Sequence, residues 1–254
     1  MRNPIKPSGN IYIVTAFIFL ITSIVAFAPT SINLISKIET GQLPMPPLIL
    51  HIHAASMSLW LLLLCVQSIL IKSKNYTLHK KLGIASMVLA TCILISMFGV
   101  DIANIQGRLG LSNSNTQKFL INSSGLLLIH GVSYLFFPLF YVWAILSRRK
   151  DSETHKRMMI LATAVLMIPG LGRLIIFSKV LPDFGLNPID ARHLYMLVLI
   201  TPAIIHDVYT RRLPHRSYLI GLGLLALWIF SAHFIWGTTW WIEFVKKLIG
   251  ATWP

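Results

Sequence analysis

Apolar runs and short polar gaps alternate along the whole chain. Seven runs, at about 11–30, 48–71, 82–104, 124–147, 157–178, 192–210 and 216–237, are long enough to span a bilayer, because ~20 residues rising 1.5 Å each cover a hydrocarbon core of roughly 30 Å. The pattern predicts an all-α fold, a polytopic transmembrane bundle of seven helices, in a single integral membrane domain over residues 1–254. Beyond the seventh run, TTWWIEFVKKLIG sets Trp240 and Trp241 beside Lys246 and Lys247. That composition suits an interfacial amphipathic helix at about 239–250.

One plan recurs three times after the first helix. The run at 48–71 opens on HIH and closes on a turn carrying LHKK, His130 leads to SRRKDSETHKR, and His193 leads to YTRRLPHR. From leading to trailing histidine the spacing is 26 residues (53 to 79), 25 (130 to 155) and 22 (193 to 215). The recurrence predicts three helix hairpins. All three run in the same sense, so they form parallel repeats about an axis along the membrane normal, with equivalent residues at equal depth.

Charge supplies the orientation. Lys72, Lys74, Lys80 and Lys81 follow the second run, Arg148, Arg149, Lys150, Lys156 and Arg157 the fourth, and Arg211, Arg212 and Arg216 the sixth, while the alternate gaps are poorer in Lys and Arg. This bias places the N-terminus and three basic turns in the cytoplasm and the C-terminus outside. The net charge of +14 therefore reports topology, and nucleic acid is not the expected partner, since the basic residues lie in gaps between apolar runs. The expected partners are the bilayer itself and anionic lipid headgroups at the basic turns, where His79, His155 and His215 read as turn and headgroup-contact residues. A charged fraction of 12%, against about 25% for soluble domains, points the same way.

Smaller features fit that frame. Cys65 and Cys92 lie inside apolar runs and read as packing residues. Ala26-Phe27-Ala28 imitates a signal-peptidase site, but Pro29 disfavours cleavage, which leaves an uncleaved first helix. The LPMPP segment is a stiff lead-in to the second helix, and NIQGRLGLSNSNTQKFLINSS reads as the longest outer connection.

The chemistry concentrates at one level. His53, His130 and His193 start their helices near the outer surface, and the returning helices bring Asp101, Arg173 and His233 to the same layer. Ionisable groups at membrane depth face the bundle interior or water and mark functional sites. On the second helix His53, Ser56, Trp60 and Gln67 share one stripe, with His51 about 200° away at 3.6 residues per turn. His130, Ser133 and Tyr141 form a similar stripe, and Asp207 shares the face of His193. Trp60, Phe136, Phe137, Tyr141 and Trp143 read as lipid-facing or packing residues. PGLG at 169–172 invites a kink just before Arg173.

Three functional readings follow. In the first, imidazoles of the layer bind haem b and Arg173 pairs with its propionates, for electron transfer; the candidate cofactor residues are His53, His130, His193, His233 and Arg173. A metal variant has His53, His130, His193, His233 and Asp101 hold zinc with an open water position, as in a metal-dependent membrane hydrolase. In the remaining reading the same groups line a polar cavity of a cofactor-free transporter or lipid-binding protein.

The segments LPMPPLILHIHAASMSLWLLLLCVQSILI, LHKKLG and THKRMMILATAVLMIPGLGRL resemble a group of bacterial polytopic membrane proteins, of about seven helices, that carry an HxH start with LHRRLG- and HKRLM-type turns. The resemblance runs from about Leu43 to the C-terminus, matches at His53, Trp60, Gln67, His79, Gly83, His155, Lys156, Arg157 and Arg173, and implies a fold without implying a reaction. A looser, architectural similarity links the chain to the haem A synthase and cytochrome b561 groups, which place histidines in matching helices; fold alone does not fix function.

Overall fold

The structure, a computed structural model, describes residues 10–109, 116–176 and 179–248, with the side chains of 107–109 and 116–120 outside the description. Within these limits the chain is all-helical: α1 (Asn10–Glu39), α2 (Leu48–Lys72), α3 (Tyr76–Leu109), α4 (Thr116–Ser147), α5 (Ser152–Leu166), α6 (Ile168–Ile176), α7 (Pro188–Arg211), α8 (Arg216–Ile235) and α9 (Thr239–Leu248). Six helices are long and apolar enough to cross a membrane, and α5 with α6, bent by 42° at their junction, makes a seventh candidate. The bend falls at Met167, two residues before Pro169. Proline removes a backbone donor and crowds the preceding turn, so the kink expected at PGLG is present.

Local chemistry sets the boundaries. Pro47 caps α2 with extended backbone. Asp151 accepts from the Thr154 amide at the start of α5, and Asn187 accepts from the Ile189 and Asp190 amides ahead of Pro188 in α7. These caps satisfy amides that the helix itself leaves free. The helices overrun the apolar runs at several ends. Most of the polar segment expected as an outer loop is absorbed into α3 and α4, and what remains of that loop, 110–115, lies outside the described residues. The expected interfacial helix is α9, and its last two positions, 249–250, also lie outside the described residues.

The helices α1, α2, α3, α4, α8 and α7 form a closed ring in that order, each touching the next, and α5 runs up the middle against α1, α4, α7 and α8. Its central place is visible in its burial: Met158, Leu161, Ala162, Thr163, Ala164 and Val165 have no exposed surface. The outward face carries Ile21, Ile24, Leu59, Leu62, Ile84, Val88, Ile95, Leu139, Val198 and Ile205, all well exposed. An apolar belt of that extent is unstable in water and stable in acyl chains. The hairpins α2–α3, α4–α5 and α7–α8 put their first helices on the ring, but of the returning helices only α5 is central.

Candidate functional site

One end of the bundle carries the basic turns, and the other the leading histidines. At the histidine end, the imidazole of His53 meets the Ser96 hydroxyl oxygen at 3.1 Å. Ser96 sends its own hydrogen to the Ile93 carbonyl, so its oxygen accepts from His53 Nδ1. On α4, His130 Nδ1 donates to the Asp101 carboxylate at 2.7 Å. Tyr134, one helical turn beyond, donates its phenol to the same oxygen. Asp101 is nearly buried, and a carboxylate held there requires such donors. His53 lies within electrostatic reach of both Asp101 and His130.

With Nδ1 carrying the proton in both rings, each Nε2 holds an unshared pair that meets no hydrogen-bond donor among the described residues. A carboxylate or hydroxyl behind Nδ1 with a bare Nε2 is the arrangement that orients imidazole as a metal ligand.

The remaining predicted residues form a separate group. His193, 2% exposed, donates from Nδ1 to its own helix at the Ile189 carbonyl, 2.7 Å. His233 pairs with Asp190 at 3.0 Å, and His193 feels Asp190, Arg192 and His233. Arg173 donates to the Thr30 hydroxyl at 3.2 Å and stacks over Phe27 at 4.7 Å, both on α1. The leading and returning histidines fall into two clusters on different helices, His53 with His130 and His193 with His233. Among the described residues, no group of three or more His, Cys, Asp or Glu side chains converges closely enough to hold a metal ion.

Two further imidazoles lie at the basic end, where the sequence predicts turn and headgroup-contact residues. His155 on α5 donates from Nδ1 to the Ala144 carbonyl of α4 at 2.8 Å and lies within electrostatic reach of His79 on α3. Gln67 donates to the His79 carbonyl at 3.1 Å. The Gln67 Oε1 and His79 Nδ1 are both buried without a partner. Gln67 is fourteen residues from His53, and Ala144 fourteen from His130, so both α2 and α4 place the two pairs about 21 Å apart along the bundle.

Between the two levels lies an aromatic cluster. Trp60 packs edge-on against Phe137 and Tyr141, at 5.2 and 5.5 Å between ring centroids. Its indole donates to Thr163 of α5, and Tyr141 pairs with Ser86 of α3 at 2.8 Å. Trp60, Phe137 and Tyr141 are packing residues of the core, and their polar tips find partners as buried Tyr and Trp require.

Below this level the basic end closes with an ion network. Arg157, 2% exposed, donates from Nε to Asp207 at 2.7 Å and from Nη2 to its other oxygen, and from Nη1 to the Glu153 carboxylate at 2.8 Å. Asp207 also accepts the His215 amide at 3.0 Å. Asp207 lies on the inward face that its spacing from His193 predicts. Its partner does not stand out from the helical stripes alone, but a carboxylate inside an apolar run demands a cation, and Arg157 opens the neighbouring run. Tyr134 is signalled in the same way, one turn after His130.

The apolar exterior, the spans and the buried charge network define an all-helical chain of the polytopic membrane type. No protein-family model, curated protein or solved structure matches it.

Proposed function

We propose that this is a multi-pass protein of the bacterial inner membrane, with three hairpins after a first helix and with α5 and α6 acting as one broken span that brings the total to seven. The N-terminus and basic turns face the cytoplasm, and His53 and His130 near the outer face bind haem b for electron transfer. The supporting observation is the anchoring of the pair: both rings are held at Nδ1, by Ser96 and by Asp101, so that the two Nε2 atoms would be the ones to hold the haem iron. Two imidazoles suffice for haem, whereas structural or catalytic zinc takes three or four protein ligands. His79 and His155 supply a second pair from the alternate helices α3 and α5, so that one site near each face gives electrons a route across the bilayer. Haem, when bound, supplies the one-electron chemistry; the chain orients it, and the Trp60, Phe137 and Tyr141 cluster keeps water out of the space between the levels.

The test is the visible spectrum and haem content of protein purified in detergent from haem-replete cells. Two haems per chain are expected, with one lost in His130→Ala and the other in His155→Ala. Colourless protein, or a Soret band indifferent to substitution of His53, His130, His79 and His155, overturns the reading. A second reading draws on Asp101: its oxygen is already shared by His130 and Tyr134, two proton-exchanging partners, as suits a cofactor-free, proton-coupled carrier. Colourless protein that transports a substrate with pH-dependent kinetics abolished by Asp101→Asn would establish that alternative.

A further inference from the structure

Among the described residues two arginines are almost wholly buried, and they are treated differently. Arg157 has Asp207 and Glu153 around it. Arg192, on the first turns of α7 at the histidine end, is 6% exposed, yet among the described residues its hydrogen bonding is a single donation from Nη1 to the Pro188 carbonyl of its own helix, 2.6 Å. The nearest carboxylate in sequence, Asp190, is committed elsewhere, to His233 at 3.0 Å and to the Asn187 amide. A guanidinium has five N–H donors, and a buried cation without a counter-anion is strongly destabilising.

Two further observations bear on the same spot. The adjacent His193 has its Nε2 buried with no partner. Gly172 of α6 lies directly against the guanidinium: a Cβ on Gly172 would come within 2.4 Å of Arg192 Nε and 3.0 Å of Nη2. The absence of a side chain at 172 is what lets the charge lie under α6.

We propose that Arg192 and His193 form a site for a phosphate-type oxyanion. The shared ligand chemistry is a singly or doubly charged phosphate, carried by an anionic lipid headgroup or free in solution. His193 joins as a second donor once protonated at Nε2, which the bound anion itself favours. The preceding segment exposes Val180, Phe184 and Leu186, three apolar side chains that suit insertion among lipid headgroups and bring a lipid phosphate to the site.

The probes are inorganic phosphate and short-chain dioctanoyl phosphatidic acid, tested on full-length protein in a zwitterionic detergent by thermal shift and native mass spectrometry. Wild type is expected to be stabilised by phosphatidic acid and to retain it in the mass spectrum. Apparent affinity should fall at least tenfold in Arg192→Gln, in Arg192→Lys, which keeps the charge but loses the fork, and in Gly172→Ala, which displaces the side chain. Thr91→Ala, an uncharged exposed position on α3 away from α7, should bind as wild type does. Stabilisation by phosphatidic acid alone assigns the ligand to lipid, and stabilisation by inorganic phosphate as well assigns it to any phosphate. Absence of binding by either probe, or equal binding in folded Arg192→Lys and wild type, overturns the proposal.

Discussion

Asp207→Ala is the substitution whose cost the structure defines best. The carboxylate, 1% exposed, accepts two bonds from Arg157 and one from the His215 amide. Its removal leaves a guanidinium inside the bundle, a change that typically costs about 3–5 kcal/mol. Glu153 still accepts from Nη1 at 2.8 Å, but its side chain is 29% exposed and it belongs to the same helix. The compensation is partial, and the expected loss is about 3 kcal/mol, in the lower part of that range. The outer contact of the same network gives the contrast: Arg216, 77% exposed, reaches Asp151 at 3.3 Å, so Arg216→Ala should cost no more than about 0.5 kcal/mol. Reversible unfolding in mixed dodecylmaltoside and sodium dodecyl sulfate micelles, followed by tryptophan fluorescence and far-ultraviolet circular dichroism, measures both. The double variant Arg157→Met with Asp207→Leu removes both charges and should recover most of the loss, because the penalty comes from the stranded cation. If Asp207→Ala lies within about 1 kcal/mol of wild type, or if the double variant is as unstable as the single one, the buried-pair reasoning is wrong.

Two other outcomes can be checked in the same system. His215 caps α8 by accepting the Ser217 amide on Nδ1, and burial together with the charges of Arg157 and Arg211 holds its pKa below the ordinary 6.5. Its contribution is therefore complete above pH 6.5 and is lost as pH falls through the lower folded value, so the melting temperature should drop on acidification below pH 6.5, and His215→Asn, a capping residue that does not titrate, should flatten that slope. Asp151, held well below the usual carboxylate range by the Thr154 hydroxyl and amide, loses its contribution only at much lower pH. Among the glycines, Gly125→Val should cost about 1–3 kcal/mol, since a Cβ there meets the Trp236 ring at 2.4 Å. Gly223→Ala, with nothing within 4 Å, should leave stability unchanged or raise it by up to about 1 kcal/mol; a larger cost for Gly223→Ala than for Gly125→Val contradicts the packing described.

The chain's own pattern determined the helices, their approximate lengths and the break near Pro169, because rise per residue is fixed and an acyl environment admits little besides helix. It also determined the inward side of α2: His53 is half-buried and His51 exposed, while Ser56 and Trp60 are buried, as their common stripe requires. Which helices become neighbours was decided only by the tertiary structure. In lipid the outer and inner faces of a helix are both apolar, so hydrophobic contrast does not say that α5 occupies the centre or that α2 and α4 share one imidazole pair while α7 and α8 hold another. Close side-chain packing made those choices, and with them Asp101 found His130 and Tyr134, Asp207 found Arg157, and Arg192 came to lie under Gly172 without a carboxylate.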